Sequence, residues 1–439
     1  MTAEIRFFWA RLNANYWFYP ALFAVLSALL AFGVLYLDRN GFAEWLNDVD
    51  WIVPVRPKGA SDILTVMAGA MIGVASTVFS ITLVAVTYAS GTYGPRLLTN
   101  FLEDKGNQIS LATFIATFVY SLIILRAVRA EDETPSGAGQ AGADMLPGFA
   151  PQLSIVVAYV LMAICVGVLV FFLNHIPSSI RINKVLQQIG ERLIAAIRVT
   201  YPKENEFSDA RASEGGKPVT AWDHGYIQLI DFEDLESKAR ECGGTFSLTV
   251  RTGDFVHRDL PLMEVQGCEP EEIEDAVREY FTLGPVRTPE QDPQFLIDEL
   301  VEIGLRALSP GINDPFTAIT ALHWLGAAIS DIARRDLRKD ICGEDAQDCP
   351  VIPLADDFDH YLQRSFGTMR SAVAASPAAA LVMLDVLVNA ARPVSHKGRR
   401  EAIREQGLLL AEQAKQALTG PDLAMVEDRL VILRRSFAD

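Results

Sequence analysis

The chain has 439 residues, of which 50% are hydrophobic, and a formal net charge of −17. Its length is enough for two or three domains. Residues 1–174 hold nine basic and twelve acidic side chains, so −3 of the net charge falls there and −14 on residues 175–439. A surface this acidic repels nucleic acids and concentrates cations. The composition therefore excludes nucleic acid as a partner and leaves cations or a small-molecule ligand.

Four long apolar segments lie in residues 1–174. A helix needs about 20 apolar residues to cross the hydrocarbon core of a bilayer. The runs that reach this length are Phe18–Leu37, Ile63–Ala89, Ile109–Val128 and Leu153–Leu173. None has an ionisable side chain near its centre, and buried helices of soluble proteins rarely stay uncharged for so long. The sequence predicts an all-α membrane domain of four transmembrane helices, with the lipid bilayer as a partner.

Basic residues near the ends of the spans predict the orientation, because Lys and Arg are enriched in cytoplasmic loops. Arg6 and Arg11 precede the first span, and Arg181 and Lys184 follow the fourth. Arg129 is the single basic residue of the loop between the third and fourth spans. Three basic residues in the loop after the first span argue the other way. The balance predicts a multi-pass protein of the bacterial inner membrane with both termini in the cytoplasm.

The second span carries small and hydroxyl side chains, most of them three or four residues apart. Residues at that spacing share one face of a helix. They are Gly69, Gly73, Ser76, Thr77, Ser80 and Thr87. Small residues let two helices approach closely, and hydroxyl groups can hydrogen-bond across the contact. One interpretation is a packing seam inside the helix bundle, and the other is a helix that lines a pore or forms an oligomer.

The second half of the chain reads as a cytoplasmic α+β domain that is mostly helical. Residues 175–219 predict a connecting helix followed by a linker. Residues 220–268 show strand-like alternation and predict a small α/β or β-barrel-like subdomain. Residues 269–439 carry helical spacing of apolar residues and predict a helical domain.

A turn at Gly253 is the clearest feature of the predicted β region. The sequence Gly253-Asp-Phe-Val256 resembles the turn of biotinyl- and lipoyl-type barrel domains, and Gly253 suits a positive φ there. Asp259 stands where those domains usually have glycine, and no lysine motif for a swinging arm is present. The resemblance implies a β-hairpin geometry, with Val256 and Leu262 pointing into a small core.

A second turn separates two predicted helices. Ser309-Pro-Gly311 ends one helix, Asn313 follows, and Asp314 fits the N-cap of the next, with Pro315 in its first position. An exposed helix N-terminus is also an anion site. Ser309, Gly311, Asn313 and Asp314 therefore form either a well-made helix–helix turn or a ligand-binding turn.

Enzyme signatures are missing from the chain. It has no Walker loop, Rossmann glycine run, nucleophile elbow or zinc-protease helix. The densest group of acidic and histidine residues is Asp356, Asp357, Asp359 and His360. Aspartates near a helix start are favoured by the helix dipole alone, so a solvated helix start outweighs a metal site. We predict no catalytic residue, no metal site and no cofactor.

Four of the five cysteines, Cys242, Cys268, Cys342 and Cys349, lie in the predicted cytoplasmic part, where thiols stay reduced. Cys342 and Cys349 are separated by six residues, which matches no common zinc pattern. The sequence predicts free thiols in a loop there. Cys165 lies in an apolar run and is predicted to act as a small hydrophobe.

Several motifs together resemble a known bacterial family. They are Val78-Phe-Ser-Ile-Thr-Leu-Val, Pro95-Arg-Leu-Leu, Gly106-Asn-Gln, Phe118-Val-Tyr-Ser-Leu, Gly253-Asp-Phe-Val and Ala307-Leu-Ser-Pro-Gly-Ile-Asn-Asp-Pro. The chain resembles the predicted membrane proteins catalogued as domain of unknown function 2254, over residues 15–435. The resemblance implies a four-span membrane protein with a cytoplasmic domain, and it brings no catalytic residue with it.

These features favour a homo-oligomeric channel or transporter of the inner membrane that conducts cations. The polar second span and the acidic cytoplasmic domain point to that function. The alternative is a membrane-anchored sensor or scaffold, whose cytoplasmic domain binds a small molecule or a protein partner.

Overall fold

A computed structural model describes residues 15–42, 55–94, 104–129, 148–179, 181–204, 215–339, 341–342 and 348–437. The chain divides into two compact units, Met1–Arg181 and Ile182–Asp439. We call them the N-terminal unit and the C-terminal unit and describe each by itself. The division lies a few residues after the boundary that the sequence predicts.

Four long helices form the N-terminal unit. They are α1 (Phe18–Arg39), α2 (Pro57–Tyr93), α3 (Lys105–Ala127) and α4 (Gln152–Ser179). Each is long and apolar enough to cross a membrane, which confirms the four predicted spans. The shortest has 22 residues and is about 33 Å long at about 1.5 Å per residue. The helices extend past the apolar runs at one or both ends, because flanking polar residues also adopt helical backbone.

Helix α3 is the central element of this unit and packs against the other three helices. The buried serine and threonine hydroxyl groups of α3 each donate to the carbonyl oxygen four residues earlier; they belong to Ser110, Thr117 and Ser121. Ser27 of α1 donates to the carbonyl of Ala116 at 2.5 Å, and Tyr120 donates to the carbonyl of Ser154 in α4 at 3.1 Å. These polar groups are thus paired within the unit, as an apolar surrounding favours. Oδ1 of Asn107, which is also buried, has no hydrogen-bond partner among the described residues.

Two aspartates fix the ends of α3 and α4. The carboxylate of Asp38 accepts hydrogen bonds from the backbone amides of Leu153 and Ser154 at 3.0 and 2.9 Å, and from the Ser154 hydroxyl at 2.6 Å. At the other end of the bundle, Asp104 caps α3, and its Oδ2 lies 2.7 Å from Nε2 of His175 in α4. A carboxylate at a helix N-terminus satisfies backbone N–H groups that otherwise have no intrahelical partner.

The C-terminal unit begins with an amphipathic helix and two small β-sheets. Helix α5 (Ile182–Thr200) lies in the segment predicted to hold a connecting helix. The strands are β1 (Lys217–Thr220), β2 (Gly225–Ile230), β3 (Thr245–Leu248), β4 (Phe255–Val256), β5 (Pro261–Gln266), β6 (Phe281–Gly284) and β7 (Val351–Ile352). One sheet has the order β1-β5-β3-β7 and the other the order β4-β2-β6. Helices α6 (Phe232–Cys242) and α7 (Pro270–Glu279) connect the strands.

The predicted β-barrel-like element is wrong, because the two sheets stay open and separate. The predicted hairpin is also absent from the described residues: β4 pairs with β2, whereas β5 pairs with β1 and β3. The segment between β4 and β5 includes Asp259 at φ 69° and passes from one sheet to the other. Gly253 does adopt a positive φ, of 94°, and Val256 and Leu262 are buried in one shared core, as predicted.

The limits of the β region also differ from the prediction. Strand β1 begins at Lys217, inside the predicted linker, and part of that linker lies outside the described residues. Strands β6 and β7 come from segments predicted to be helical domain, beyond residue 268. Phe281 and Val351 supply the buried apolar positions that hold these strands on the core.

Helices form the rest of the C-terminal unit. They are α8 (Pro293–Ala307), α9 (Pro315–Ile332), α10 (Phe358–Leu362), α11 (Thr368–Ala374), α12 (Pro377–Ala391), α13 (Lys397–Ala417) and α14 (Gly420–Ser436). A π-helical turn, Gln363–Gly367, joins α10 to α11. The mainly helical character of this region is confirmed.

Helices α5 and α9 lie side by side within this unit. A Cβ on Gly190 would lie 2.3 Å from the Trp324 ring, so glycine allows the close approach of the two helices. Arg198 donates to Asp331 at 2.9 Å, and Asp331 also accepts from Arg335 at 2.6 Å. The ends of both helices are therefore joined by a hydrogen-bonded ion pair whose carboxylate is buried and whose Arg198 side chain is exposed.

Candidate functional site

The small polar residues of α2 lie on the outside of the N-terminal unit. We call the face formed by Gly69, Gly73, Ser76, Ser80 and Thr87 the outer stripe, and all five residues are exposed. The buried residues of α2 are Ala60, Leu64, Met67, Ala68, Met71, Ala75, Val78, Thr82, Ala85, Val86 and Ala89. At about 100° per residue, the outer stripe lies nearly opposite the centre of this buried face. One face of α2 thus packs against the other described helices of the unit, and the face with the small polar residues is exposed.

The hydroxyl groups of this face are already used as donors. Ser76, Thr77, Ser80 and Thr87 each donate to the carbonyl oxygen four residues earlier, at 2.8–3.0 Å. Thr77 is exposed too and lies beside the outer stripe. Each hydroxyl oxygen keeps acceptor capacity, which suits water or a cation. The outer stripe therefore presents small side chains and hydroxyl oxygens that can accept hydrogen bonds. Helix α2 has no charged side chain between residues 63 and 93.

The two glycines of the outer stripe have free space beside them. A Cβ added at Gly69 or Gly73 would meet no atom within 4 Å. The described part of the N-terminal unit therefore does not require glycine at either position. The packing seam and the pore-lining or oligomer-forming helix both stay predictions, and the exposure of this face is the observation on which the second can be built.

The turn at Ser309–Asp314 has the geometry of a helix–helix turn. Oδ1 of Asp314 accepts from the amides of Phe316 and Thr317, both at 3.2 Å, and Oδ2 accepts from the Thr317 hydroxyl at 2.6 Å. Asn313 has a φ of 50°, and its backbone N–H donates to the carbonyl oxygen of Ser309 at 2.9 Å. The predicted N-cap is confirmed. Its carboxylate occupies the helix N-terminus, which opposes the binding of an anion there.

The other two positions of this turn offer little to a ligand. Gly311 is exposed, and a Cβ there would meet no atom within 4 Å. The hydroxyl of Ser309 donates to the carbonyl of Arg306 at 2.6 Å. The exposure of two apolar side chains at the turn was not predicted from the sequence. Ile312 is 43% exposed and Phe316 is 76% exposed.

A buried group of charged side chains in the C-terminal unit was not predicted. We call Arg287, Asp292, Asp298 and Arg364 the charge network. Nε of Arg287 lies 3.0 Å from Oδ2 of Asp292, and its Nη1 lies 2.6 Å from Oδ2 of Asp298. Arg364, on the π-helical turn, contacts both oxygens of Asp298 at 2.6 Å. The two positive and two negative charges neutralise one another. Their contacts join the segment before α8, α8 itself and the π-helical turn.

Asp292 is the most deeply buried member of the charge network, at 2% exposure. Its Oδ1 also caps α8 by accepting from the amide of Phe295 at 3.2 Å. Burial raises the pKa of Asp292, while the guanidinium of Arg287 acts in the opposite direction. A Cβ at Gly253 would lie 2.2 Å from Oδ2 of Asp292, so the turn noticed in the sequence needs glycine to approach this carboxylate.

The acidic and histidine residues near position 358 form hydrogen bonds with different groups and do not converge on one point. Asp356 accepts from the hydroxyl of Tyr201, and Asp357 caps α10. Nε2 of His360 lies 3.2 Å from Oε1 of Gln294. In the part of the chain that the structure describes, no group of three or more His, Cys, Asp or Glu residues could hold a metal ion. The local geometry is that of a helix start.

Four cysteines of the C-terminal unit form two pairs. A disulfide joins Cys342 to Cys349, so the prediction of free thiols at these two positions is wrong. Sγ of Cys242 lies 2.8 Å from Sγ of Cys268, and both residues are partly exposed. The spacing of the cysteines along the chain carries no signal for either pairing, because folding brings the segments together. Cys165 is buried in the N-terminal unit, where the sequence places a small hydrophobe.

Comparisons with known proteins agree with the membrane assignment. A family model described as "Predicted membrane protein (DUF2254)" matches residues 13–389. An uncharacterized protein of Mycobacterium bovis and one of Mycobacterium tuberculosis are each 29% identical to the chain over 389 residues. The matches cover 86% of this chain and 71% of each relative. No solved structure matches the chain.

Proposed function

The chain belongs to the predicted membrane protein family DUF2254. We propose that it is a homo-oligomeric membrane channel whose subunits meet along the outer stripe. The observation that supports this proposal is the exposure of the outer stripe on a helix long enough to cross the bilayer. In lipid, helices associate through small residues that let their backbones approach closely. The positions 69, 73, 76 and 80 alternate at intervals of four and three residues, as residues do along a helix–helix contact.

The hydroxyl groups of α2 support a conducting path between facing copies of the helix. Around a symmetry axis, copies of α2 that face one another along the outer stripe would direct the acceptor oxygens of Ser76, Ser80 and Thr87 into the lumen between them. Because α2 has no charged side chain between residues 63 and 93, it places no fixed charge along the conducting path. The net charge of −14 on residues 175–439 raises the local concentration of cations, so the permeating ions of this channel are cations.

Reconstitution of the full-length protein into liposomes tests the function. We expect a potassium flux in wild-type liposomes, and an about tenfold or greater reduction in the variant Ser80→Leu, because an apolar constriction excludes hydrated ions by dewetting. The matched control is Ile81→Leu, the neighbouring position, which is 39% exposed and lies off the outer stripe.

Assembled wild-type protein that passes neither cations nor anions would contradict the channel. The alternative would then stand: a membrane-anchored sensor or scaffold whose C-terminal unit binds a small molecule or a protein partner. A thermal-shift screen of the full-length protein in detergent separates the two functions, because a specific stabilising ligand is expected for the sensor.

We also propose that the membrane is the bacterial inner membrane and that both termini lie in the cytoplasm. Arg6, Arg11, Arg181 and Lys184 support this orientation, and Arg129 alone supports the other at the loop before α4. Two observations oppose it. The loop after the first span holds three basic residues, and the Cys342–Cys349 disulfide is unexpected in the cytoplasm, where thiols are kept reduced. On the proposed topology we expect that bond to be open in growing cells and to close on isolation.

Reporter fusions test the topology. A reporter that is active only outside the cytoplasm is expected to be silent when it follows residue 439. The same reporter inserted near residue 140, between α3 and α4, is expected to be active and serves as the control. The reverse pattern of activities would overturn the proposed orientation.

A further inference from the structure

Two cysteines of the C-terminal unit come from different segments and meet at one end of a sheet. Cys242 is the last residue of α6, and Cys268 lies in the turn between β5 and α7. They are 26 positions apart in the sequence, yet their Sγ atoms are 2.8 Å apart. The last antiparallel pair of β3 and β5 is Thr245 with Gln266. Continued outward, this register places both cysteines just beyond the end of the ladder.

Three glycines make the approach of these cysteines possible. Gly243 ends α6 in the left-handed region, at φ 68°. A Cβ on Gly244 would lie 2.6 Å from Sγ of Cys268 and 2.6 Å from the carbonyl oxygen of Gln266. Gly267, at φ 83°, approaches the backbone of residues 243 and 244. A Cβ at Gly244 or Gly267 would force the two turns, and with them the two sulfur atoms, apart, whereas Gly243 is needed for its left-handed backbone conformation.

We propose that Cys242 and Cys268 form a reversible disulfide, so that the C-terminal unit carries a thiol oxidation site whose oxidant is a low-molecular-weight disulfide such as oxidised glutathione. The thiolate of one cysteine attacks the oxidant and releases one glutathione thiolate, leaving a mixed disulfide. The second cysteine then attacks this mixed disulfide, the Sγ–Sγ bond forms, and the second glutathione leaves. The protein loses two electrons and two protons, and the oxidant becomes two glutathione thiols.

The surroundings of the pair assign the order of attack. Burial, followed by the adjacent Cys242, raises the pKa of Cys268 to about 12. A thiol with a raised pKa yields less thiolate, which is the nucleophile of the exchange, so Cys268 is disfavoured as the first attacking residue. Both side chains are partly exposed, which gives a small oxidant access to them.

The second cysteine pair lies close enough in the fold that the experiment must separate the two. Cys342 and Cys349 pack on the same hydrophobic core as Cys242 and Cys268. Strand β7, which begins at Val351, runs parallel to β3 with Val351 opposite Phe246. Peptide mapping distinguishes a Cys242–Cys268 bond from any bond that includes Cys342 or Cys349.

The test uses full-length protein in native membranes, with free thiols trapped by an alkylating reagent at the moment of lysis. In untreated cells we expect both Cys242 and Cys268 to be alkylated. After membranes are incubated with oxidised glutathione, we expect both alkylatable thiols to be lost and a peptide linking Cys242 to Cys268 to appear. Subsequent dithiothreitol is expected to restore both thiols.

Serine variants identify the pair that reacts. Cys242→Ser and Cys268→Ser are each expected to lack the cross-linked peptide, and Cys268→Ser is expected to keep glutathione on Cys242. The double variant Cys342→Ser/Cys349→Ser is expected to react as wild type does. Three results would overturn the proposal: two thiols that stay alkylatable after oxidation, a Cys242–Cys268 bond already complete in untreated cells, or exchange with Cys342 or Cys349. The wild-type mapping decides even where a variant fails to fold.

Discussion

The double variant Gly73→Leu/Ser80→Phe is expected to run as a monomer in mild detergent, whereas the wild-type chain is expected to run as an oligomer. Both positions lie on the outer stripe and are exposed in the single chain. In an oligomer built on this face, the new side chains would fall where the copies of α2 face one another. Overpacking a well-fitted contact costs about 1–3 kcal/mol per site, and symmetry repeats the cost at every interface. The free energy of association is then lost, while the fold of each chain is kept.

Size-exclusion chromatography with light scattering measures this change. The control is Ile81→Phe, which places the same aromatic side chain on the same helix about 100° away from Ser80. Ile81 is 39% exposed, so the control meets the same solvent or lipid. We expect it to retain the wild-type mass. A wild-type monomer, or a double variant with the wild-type mass, would show that the outer stripe does not hold the subunits together.

The sequence predicts the membrane half well because its signal is physical and local. An uncharged apolar run of about 20 residues is long enough to span the bilayer. Its backbone N–H and C=O groups have no water to bond there, so they must form the internal hydrogen bonds of a helix. Helical spacing also shows that Gly69, Ser76 and Ser80 share a face. It does not show which face of α2 meets the bundle, because Leu64, Met71 and Val78 on one side are no more diagnostic than Val66 and Val84 on the other. That choice depends on the packing of α3, which only the three-dimensional structure supplies.

The β region shows where local patterns stop being informative. The positive φ at Gly253 follows from residue chemistry and was predictable. The partners of its neighbouring strands were not, because β2 pairs with β6 some 50 residues away and β3 pairs with β7 about 100 residues away. The meeting of Gly253 with Asp292, and of Cys242 with Cys268, depends on the same long-range pairings.

The variant Arg287→Met is expected to lower the free energy of unfolding of the C-terminal unit by about 3–5 kcal/mol. Arg287 is 12% exposed and contacts both Asp292 and Asp298. Its loss leaves the carboxylate of Asp292 buried without its closest positive partner, and an uncompensated buried charge is far more costly than a missing surface pair. The measurement is urea unfolding of the full-length protein in detergent, followed by tryptophan fluorescence.

The control is Arg429→Met, which breaks an ion pair of similar length at the surface. Nη1 of Arg429 lies 2.7 Å from Oδ1 of Asp385, but the two side chains are 38% and 41% exposed. Exposed pairs contribute about 0–1 kcal/mol because water and salt screen them. An equal loss of stability in the two variants would show that the charge network is no more important than a surface contact.

The pH dependence of the Arg287→Met deficit identifies Asp292 as its source. Burial already raises the pKa of Asp292 in the folded wild-type protein, and Arg287 is the main opposing influence. Removing Arg287 raises this pKa further above its value in the unfolded chain, so the folded variant binds a proton more tightly than the unfolded chain does. Stability then falls as pH rises from the ordinary range of an aspartate through the raised pKa of Asp292. We therefore expect a smaller deficit in acid than at neutral pH, because a protonated Asp292 no longer needs Arg287, whereas a deficit independent of pH would assign the loss to packing alone.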